Sequence, residues 1–443
     1  MWLAQPLLKL KLKRRGAQEP GYMHAIDERF GRYSAPVPPH DGPTVWIHAV
    51  SLGETRAAAV LVAALRKLMP DMRLLLTHGT ATGRAEGAKS LQPGDLQAWQ
   101  PWDTVGATQR FLKHFRPQIG VLMETEIWPN LVHTCHVRQM PLVLANARLS
   151  EKSLRQAQKW SGLARPAFAE LNAVWPQTPT DAQRFHQLDA PVRAVFGNLK
   201  FDATPDDRQI ALGRKTRAAI AKPVVMFASS RVGEELALLQ ILKAFSPVAL
   251  MEKGRVATDS VVNQVQWLIV PRHPQRFDAV AELIAAQGFT VSRRSTWGVQ
   301  GPELPKAAAE VPPTIWLGDS LGEMALYFGL SDVALLGGSF EPLGGQNLIE
   351  AAACGCPVVM GPHTFNFAEA AEQALAAGAA LRVADLAEAV NVAGELVADA
   401  PRLATARQAC EDFAHAHQGA AQGLARAIVH VMNASVAGLV RTG

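Results

Sequence analysis

The residues that point most directly to chemistry lie between Asp332 and Phe367, in the stretch DVALLGGSFEPLGGQNLIEAAACGCPVVMGPHTFNF. An apolar run ends at a pair of glycines, a loop with Gly344 and Gly345 follows, and a helical pattern leads to a second apolar run. This order predicts a strand–loop–helix–strand unit. A helix that begins after such a loop presents free backbone N–H groups and the positive end of its dipole, which favour an anion such as phosphate.

Glu350 falls in the first turn of that predicted helix, three residues after Asn347. A carboxylate there would repel a phosphate, so we expect it to accept hydrogen bonds from a neighbouring group, for which a ribose diol is the natural candidate. The alternative is a capping box, in which Asn347 caps the helix and Glu350 reaches back to its backbone. The spacing fits both interpretations equally well.

Other acidic residues follow apolar runs nearer the N-terminus. Glu54, in HAVSLGE, is placed to act as a general base at the end of a strand, or alternatively to favour a helix start through the dipole. Glu124 and Glu126 follow another run, in METEIWPN. Because side chains alternate along a strand, we expect at most one of these two to face a ligand cleft.

Cations occupy similar positions. Arg272 directly follows an apolar run in PRHPQRF, and Arg276 comes four residues later. An arginine there can bind phosphate through two hydrogen bonds, and the two prolines that stiffen the loop favour this role over a surface position. Lys200, in GNLKFD, is either a cation for an anionic substrate or a solvated lysine.

Around these residues, apolar runs alternate with amphipathic stretches through both halves of the chain. The alternation predicts the α/β class, with two Rossmann-like domains facing a cleft and functional loops at the carboxyl ends of strands. The predicted boundaries are a basic, apolar arm at 1–20, a first domain at 21–205, a second domain at 206–400 and a helical tail at 401–443. The polar segment 205–223, bracketed by prolines, is interpreted as the interdomain region.

Composition excludes several classes of protein. The 443 residues are 48% hydrophobic and 19% charged, which is typical of globular domains. The net charge of +5 favours anionic partners, but no basic run interleaved with aromatic residues marks the body of the chain for nucleic acid. Four irregularly spaced cysteines and two isolated histidine pairs lack the pattern of a metal site, so none is expected.

The first residues combine an apolar run, Trp2 to Leu8, with leucines and cations that alternate. A membrane-spanning helix needs about 20 apolar residues, so no span is predicted. We interpret the arm as a segment that lies on an anionic membrane surface, with a solvated tail as the alternative. No secretory signal is expected, because no small-residue cleavage site follows the charges.

Seven segments, in this order, resemble the signature segments of the 3-deoxy-D-manno-octulosonic acid (Kdo) transferases of lipopolysaccharide assembly: HAVSLGE, METEIWPNL, NARLS, GNLKFD, PRHPQRF, GDSLGEM and GGQNLIEAAACGCPVVMGPHTFNF. The resemblance extends from about Gln5 to Val431. It implies a B-type glycosyltransferase fold with the acceptor in the N-terminal domain and CMP-Kdo mainly in the C-terminal domain. It also implies an inverting enzyme that attaches Kdo to the lipid A precursor (lipid IVA) on the cytoplasmic side of the inner membrane. Because CMP leaves with a single phosphate and the sequence has no Asp-x-Asp element, we expect no metal or other cofactor.

Residue by residue, the resemblance gives Glu54 the role of catalytic base, and gives Glu124 and Lys200 that of transition-state stabilisers. It places CMP on nine residues: Pro271, Arg272, Gly322, Glu323, Met324, Gly344, Gly345, Asn347 and Glu350. The chain departs from the usual pattern at Gln346 and Arg231, each of which stands where the family usually carries histidine.

Two other functions fit parts of the pattern. A nucleotide-linked Rossmann oxidoreductase would use the strand–loop–helix unit for a dinucleotide, but the first strand lacks the Gly-x-Gly-x-x-Gly turn and the acid that binds ribose. A non-catalytic lipid-binding homologue would account for the changes at Gln346 and Arg231. Against it, Glu54, Glu124 and Lys200 are all retained.

Overall fold

The computed structural model describes residues 12, 14–17, 19–245, 264–298, 301–302 and 313–442. Most of the predicted arm lies outside these residues. The chain divides into unit 1, which comprises Met1–Ala203 and His417–Gly443, and unit 2, which comprises Thr204–Ala416. Each unit contains a sheet whose strand pairs are all parallel, with helices between the strands. This arrangement confirms the predicted α/β class with two Rossmann-like domains.

In unit 1 the described strands are β1 (Thr44–His48), β2 (Arg73–His78), β3 (Leu96–Trp99), β4 (Ile119–Met123), β5 (Leu142–Ala147) and β6 (Ala173–Pro176). The helices between them are α1 (Leu52–Leu68), α2 (Ala81–Gly87), α3 (Val105–Phe115), α4 (Pro129–Val137), α5 (Glu151–Lys159), α6 (Ser161–Ala169) and α7 (Pro179–His186). The strand order is β3-β2-β1-β4-β5-β6. The order reverses between β1 and β4, and ligands bind beyond the carboxyl ends of strands at such a point.

Both faces of this sheet are buried, because residues of β1 alternate between two apolar clusters. Ile47 packs with Leu61 and Leu65 of α1 on one face. Trp46 packs with Phe111 of α3 on the other face. Burial on both faces explains why the strands are continuous apolar runs.

Between β2 and β4 the sequence pattern predicts a helix and no strand, so strand β3 is a difference between prediction and structure. It is a four-residue strand at the edge of the sheet, paired with β2 alone. Such a short segment, in which Leu96 and Gln97 are only half-buried, carries too little apolar periodicity to be recognised locally.

In unit 2 the described strands are β7 (Val224–Ser230), β8 (Gln266–Pro271), β9 (Thr290–Arg293), β10 (Thr314–Leu317), β11 (Val333–Leu336), β12 (Val358–Met360) and β13 (Ala380–Arg382). The helices are α8 (Asp207–Ala218), α9 (Glu234–Ala244), α10 (Phe277–Ala286), α11 (Met324–Leu330), α12 (Leu348–Ala353), α13 (Ala368–Ala376), α14 (Leu386–Ala398) and α15 (Ala400–Ala416). The strand order β13-β12-β11-β7-β8-β10-β9 reverses at β7. Helix α8 occupies the segment interpreted as interdomain and belongs to unit 2.

The segment predicted as one tail, 401–443, is divided between the units. Helix α15 belongs to unit 2, whereas the last helix, α16 (Ala420–Thr442), belongs to unit 1 and packs on α1. Its start is held by Asp202, whose carboxylate accepts hydrogen bonds from the N–H groups of Gly419 and Ala421, both at 2.5 Å. Over the described residues, no helix has the length and apolarity needed to cross a bilayer.

Candidate functional site

Glu54 is held at the start of α1, directly beyond β1. The Val50 N–H donates to its Oε2 at 2.9 Å, and Ser51 Oγ donates to its Oε1 at 2.7 Å. Ser51 also caps the helix, because its Oγ accepts from the Glu54 N–H at 3.4 Å. The helix-start arrangement that sequence offers as an alternative is therefore present. Each carboxylate oxygen retains a further lone pair, so these contacts orient the group and leave it able to accept a proton.

Glu124 and Glu126 both lie within electrostatic reach of Glu54. The expectation that at most one of them would face a ligand had a faulty premise, because residues two apart on a strand share a face. Strand β4 ends at Met123, and Glu124 has a left-handed backbone with φ of +58°. The two acids therefore lie in a turn, where the alternation of an extended strand does not apply. Burial raises the pKa of both carboxyls, and the charge of Glu54 raises both further.

The environment of Glu126 leaves its carboxyl poised to exchange a proton near neutrality. Burial raises its pKa to about 7, and the charges of Glu54 and Glu124 act in the same direction. A hydrogen bond from Trp128 Nε1 to Glu126 Oε2, at 3.1 Å, opposes this rise. Glu126 is therefore a titrating member of the acidic cluster that sequence reasoning left out.

Two cations flank Glu124. Lys200 lies in a 3₁₀ turn, Leu199–Asp202, and Arg148 directly follows β5. Burial raises the pKa of the Glu124 carboxyl, and the positive charges of Lys200 and Arg148 oppose this rise. The Arg148 N–H also donates to the Glu124 carbonyl at 3.3 Å. Arg148 was missed, although its place after a strand adjacent to β4 is a signal that could have found it.

The structure thus brings together Glu54, Glu124 and Lys200, and adds Glu126 and Arg148. This group, which we call the carboxylate cluster, lies at the point where the strand order of unit 1 reverses. An acid held by two donors, with cations and further carboxyls nearby, is suited to removing a proton and to stabilising charge.

In unit 2 the nine predicted donor-site residues lie at the end of β8 or in the segments that follow β8, β10 and β11. Strand β7 lies between β11 and β8, and β10 is the next strand beyond β8. Because the sheet is parallel, the three loops share its carboxyl edge. Pro271 is the buried last residue of β8; Arg272 is exposed, and its N–H donates to the Ser230 carbonyl at 3.0 Å.

The loop after β11 requires glycine. Gly344 and Gly345 have φ of +90° and +72°, which side-chain-bearing residues rarely adopt. A Cβ on Gly344 would lie 2.3 Å from Asn366 Nδ2, so the loop is closely packed as well. Asn347 caps α12 by accepting from the Ile349 N–H at 3.2 Å, which is the capping half of the alternative that the sequence left open, and Glu350 is half-buried in the first turn.

The loop after β10 is braced by neighbouring elements. Arg294 donates to Glu323 Oε1 at 2.8 Å, and Ser320 Oγ donates to Oε2 of the same carboxylate. Gln209 of α8 donates through Nε2 to the Gly322 carbonyl at 2.9 Å. Met324 begins α11 directly after this loop, so α8 and Arg294 together hold the loop at the start of that helix.

Two buried glutamates at the start of α9 accept hydrogen bonds from the segments that follow β7, β8 and β11. Glu234 accepts from the Gly338 N–H at 2.8 and 2.9 Å and from the Arg231 N–H at 2.8 Å. Glu235 accepts from Arg276 at 2.5 and 3.0 Å. The guanidinium of Arg276 is therefore paired with this carboxylate.

One histidine of each pair that the sequence contains packs against or bonds to a neighbouring side chain. His133 Nδ1 lies 3.1 Å from Glu170 Oε1, and the His417 ring stacks on Phe201. The four cysteines are buried and form no disulfide. In the part of the chain that the structure describes, no three or more His, Cys, Asp or Glu side chains are grouped as metal ligands would be.

Comparisons with known proteins confirm the resemblance. Residues 24–203 match the family model described as 3-Deoxy-D-manno-octulosonic-acid transferase (kdotransferase). The chain is 43% identical over 423 residues to the 3-deoxy-D-manno-octulosonic acid transferase of Bordetella pertussis, covering 94% of each chain. The enzyme of the same name from Haemophilus influenzae is 32% identical over 398 residues, covering 89% of this chain and 88% of its own.

Solved structures show the fold. A glycosyltransferase from Rickettsia africae matches with a TM-score of 0.53 at 12% identity, covering 90% of this chain and 99% of its own. A UDP-GlcNAc 2-epimerase from Neisseria meningitidis matches with a TM-score of 0.51 at 13% identity, covering 88% and 99%. At these identities the likeness is one of architecture.

Proposed function

This chain belongs to the family of 3-deoxy-D-manno-octulosonic acid (Kdo) transferases, and we propose that it transfers Kdo from CMP-Kdo to the lipid A precursor, lipid IVA, with inversion at the anomeric carbon. Kdo transfer follows from the family; the acceptor, the stereochemical course and the residue roles are our proposal. The observation that carries them is the carboxylate cluster, in which Glu54 is oriented by Val50 and Ser51 beside Glu124 and Lys200.

In the proposed reaction Glu54 accepts the proton of the acceptor hydroxyl. The hydroxyl oxygen then bonds to the anomeric carbon of Kdo, while the bond from that carbon to the phosphate oxygen breaks and CMP leaves with the electron pair. Because the two hydrogen bonds to Glu54 already exist, the base needs no reorganisation. Glu124 and Lys200 stabilise the transition state, with the Lys200 ammonium suited to the carboxylate that Kdo carries.

On the donor side, unit 2 is proposed to bind CMP through the loops after β8, β10 and β11. Arg272 supports the phosphate, and Glu350 accepts from the ribose hydroxyls. A leaving group with a single phosphate carries less charge than a diphosphate, so we expect no metal requirement. Gly344 and Gly345 support the sharp turn that leads into α12, since side-chain-bearing residues rarely adopt their positive φ values.

The proposed place of action is the cytoplasmic side of the inner membrane, with peripheral attachment. The acceptor is a lipid, and the cations of the N-terminal arm suit an anionic bilayer surface. The arm itself lies mostly outside the described residues.

Mass spectrometry of the lipid formed from CMP-Kdo and lipid IVA tests the proposal. We expect wild type to form a Kdo-lipid, and Glu54→Ala to lose about 10²–10⁴-fold in turnover while calorimetric CMP affinity stays unchanged. Glu151→Ala, which removes an exposed first-turn acid of α5, is the matched control and should turn over normally. Wild-type turnover by Glu54→Ala would refute its role as base, and no product with wild type would favour a non-catalytic lipid-binding homologue.

A second variant tests the donor site. Glu350→Ala should weaken CMP binding measured by calorimetry, because it removes the proposed acceptor for the ribose hydroxyls. An unchanged CMP affinity would show that Glu350 does not bind the ribose and would favour the capping alternative at the start of α12.

A further inference from the structure

We propose that Asn146, Gln177 and Asn198 are positioning residues for the transfer reaction, because their amides fix the turn that carries Lys200 to the strand end that holds Glu124. This inference rests on the proposed function for its activity readout. Asn146 comes from the segment NARLS and Asn198 from GNLKFD. Neither asparagine has a role in the reaction as described so far.

The three amides form a continuous chain of hydrogen bonds. Asn146 Oδ1 accepts from the Leu199 N–H at 3.0 Å, and its carbonyl accepts from Gln177 Nε2 at 2.9 Å. Gln177 Oε1 accepts from Asn198 Nδ2 at 3.0 Å, and Asn198 Oδ1 accepts from the Lys200 N–H at 3.0 Å. Two successive backbone N–H groups of the turn are therefore held by asparagine side chains.

The same strand end also holds Glu124. The Glu124 N–H donates to the Ala145 carbonyl at 3.1 Å, and the Arg148 N–H donates to the Glu124 carbonyl at 3.3 Å. Asn146 lies between Ala145 and Arg148, the two residues that bond to the backbone of Glu124. Its side chain therefore connects this backbone segment to the turn that carries Lys200. The electrostatic effect of Lys200 on Glu124 shows that their charged groups are close enough to interact.

Asn146 combines two features that do not favour stability. It is fully buried with a left-handed backbone, φ of +51°, and its Nδ2 makes no hydrogen bond within the described structure. The hydrogen bond from the Leu199 N–H fixes which way the Asn146 amide points. If the amide were flipped, its NH₂ group would face the Leu199 N–H, and two donors cannot form a hydrogen bond with each other. Asn146 thus combines a strained backbone with a buried amide N–H that has no acceptor. We take this combination to indicate that Asn146 is kept for the proposed reaction.

The test compares Asn198→Ala and Asn146→Ala with Asn172→Ala. Asn172 Oδ1 accepts from the Leu142 N–H at 2.8 Å, so the control removes an equivalent side-chain cap at the opposite end of β5. We expect Asn198→Ala to lower kcat about tenfold to a hundredfold with little change in KM for CMP-Kdo, because a misplaced group acts mainly on the chemical step. Asn172→Ala should keep kcat within about twofold.

Two further readouts separate positioning from general loss of stability. If Asn198 acts through Lys200, adding Asn198→Ala to Lys200→Ala should not lower the residual kcat further. Displacing Lys200 removes a cation that lowers the pKa of Glu124, while Arg148 and Glu54 remain. That pKa should therefore rise in Asn198→Ala and not in Asn172→Ala, as followed by NMR titration of labelled glutamate carboxyl carbons.

The outcomes are distinct. Wild-type kcat and an unshifted Glu124 titration in both network variants would overturn the inference while wild-type transfer upholds the proposed function. If wild type itself forms no Kdo-lipid, the proposed function fails, and the NMR titration still decides whether the amides position Lys200. Asn198 is half-buried, so this variant tests the inference even if Asn146→Ala does not fold.

Discussion

At the residue scale, the proposed chemistry depends on three glutamates that lie close together in unit 1. Glu54 is fixed by hydrogen bonds from Val50 and Ser51, whereas Glu126 is held by Trp128 and surrounded by negative charge. Burial and the neighbouring charges raise the pKa of the Glu126 carboxyl to about 7, which distinguishes it as a group that exchanges a proton near neutrality.

Glu126 should make the stability of unit 1 depend on pH. Its pKa of about 7 in the folded state lies above the usual 4.5, so the folded state binds this proton more tightly, and stability falls as the pH rises through that window. Glu126→Gln should therefore stabilise unit 1 by about 1–2 kcal/mol at pH 8 and by little at pH 5. Thermal unfolding at both pH values, with exposed Glu151→Gln as control, measures this; an equal effect at both would contradict it.

At the element scale, two helix caps of unit 1 differ in whether the capping side chain also binds a proposed catalytic residue. Ser51 caps α1 and also donates to Glu54. Thr104 caps α3 through a hydrogen bond of the same length, 3.4 Å, from the Ala107 N–H to its Oγ1. The two caps are a natural pair for separating stability from function.

Ser51→Ala and Thr104→Ala should each destabilise unit 1 by about 1 kcal/mol, because each removes one N-cap. Only Ser51→Ala should lower kcat, by about tenfold, since it also frees one oxygen of Glu54. Urea unfolding and steady-state kinetics on both variants measure these effects. Equal kcat values would show that the Ser51 hydrogen bond does not contribute to catalysis.

At the scale of the whole molecule, unit 1 is completed by the C-terminal end of the chain. Leu424 and Ile428 of α16 are fully buried in the same cluster as Leu61 of α1. Replacing one such side chain by alanine costs about 2–5 kcal/mol. Removing the helix should therefore cost unit 1 more stability than a domain of this size usually has.

Truncation after Ala416 should unfold unit 1 and leave unit 2 folded. Limited proteolysis should then show cleavage within residues 21–203 and protection of 204–416, and calorimetry should show retained CMP binding. The control is Leu424→Ala in the full chain, which should lower the unfolding temperature of unit 1 without unfolding it. Loss of both units on truncation would contradict this division of the chain.

The sequence by itself determined the features that depend on local pattern. Apolar runs predicted most of the strands, the glycine loop predicted the turn at Gly344 and Gly345, and the spacing of Asn347 offered a helix cap as one alternative, because each depends on residues close along the chain. The seven ordered segments identified the family for the same reason. The short strand β3 was not predicted, because four residues at the edge of a sheet show too little alternation of apolar and polar residues.

The tertiary structure alone decided which of these residues meet. That β1 pairs with β4 brings Glu54 to Glu124, and the left-handed turn at Glu124 adds Glu126. The assignment of α16 to unit 1 and the link from Asn146 to the Lys200 turn likewise join residues far apart in sequence. Such pairings depend on the packing of the folded chain as a whole, which no local stretch of residues encodes.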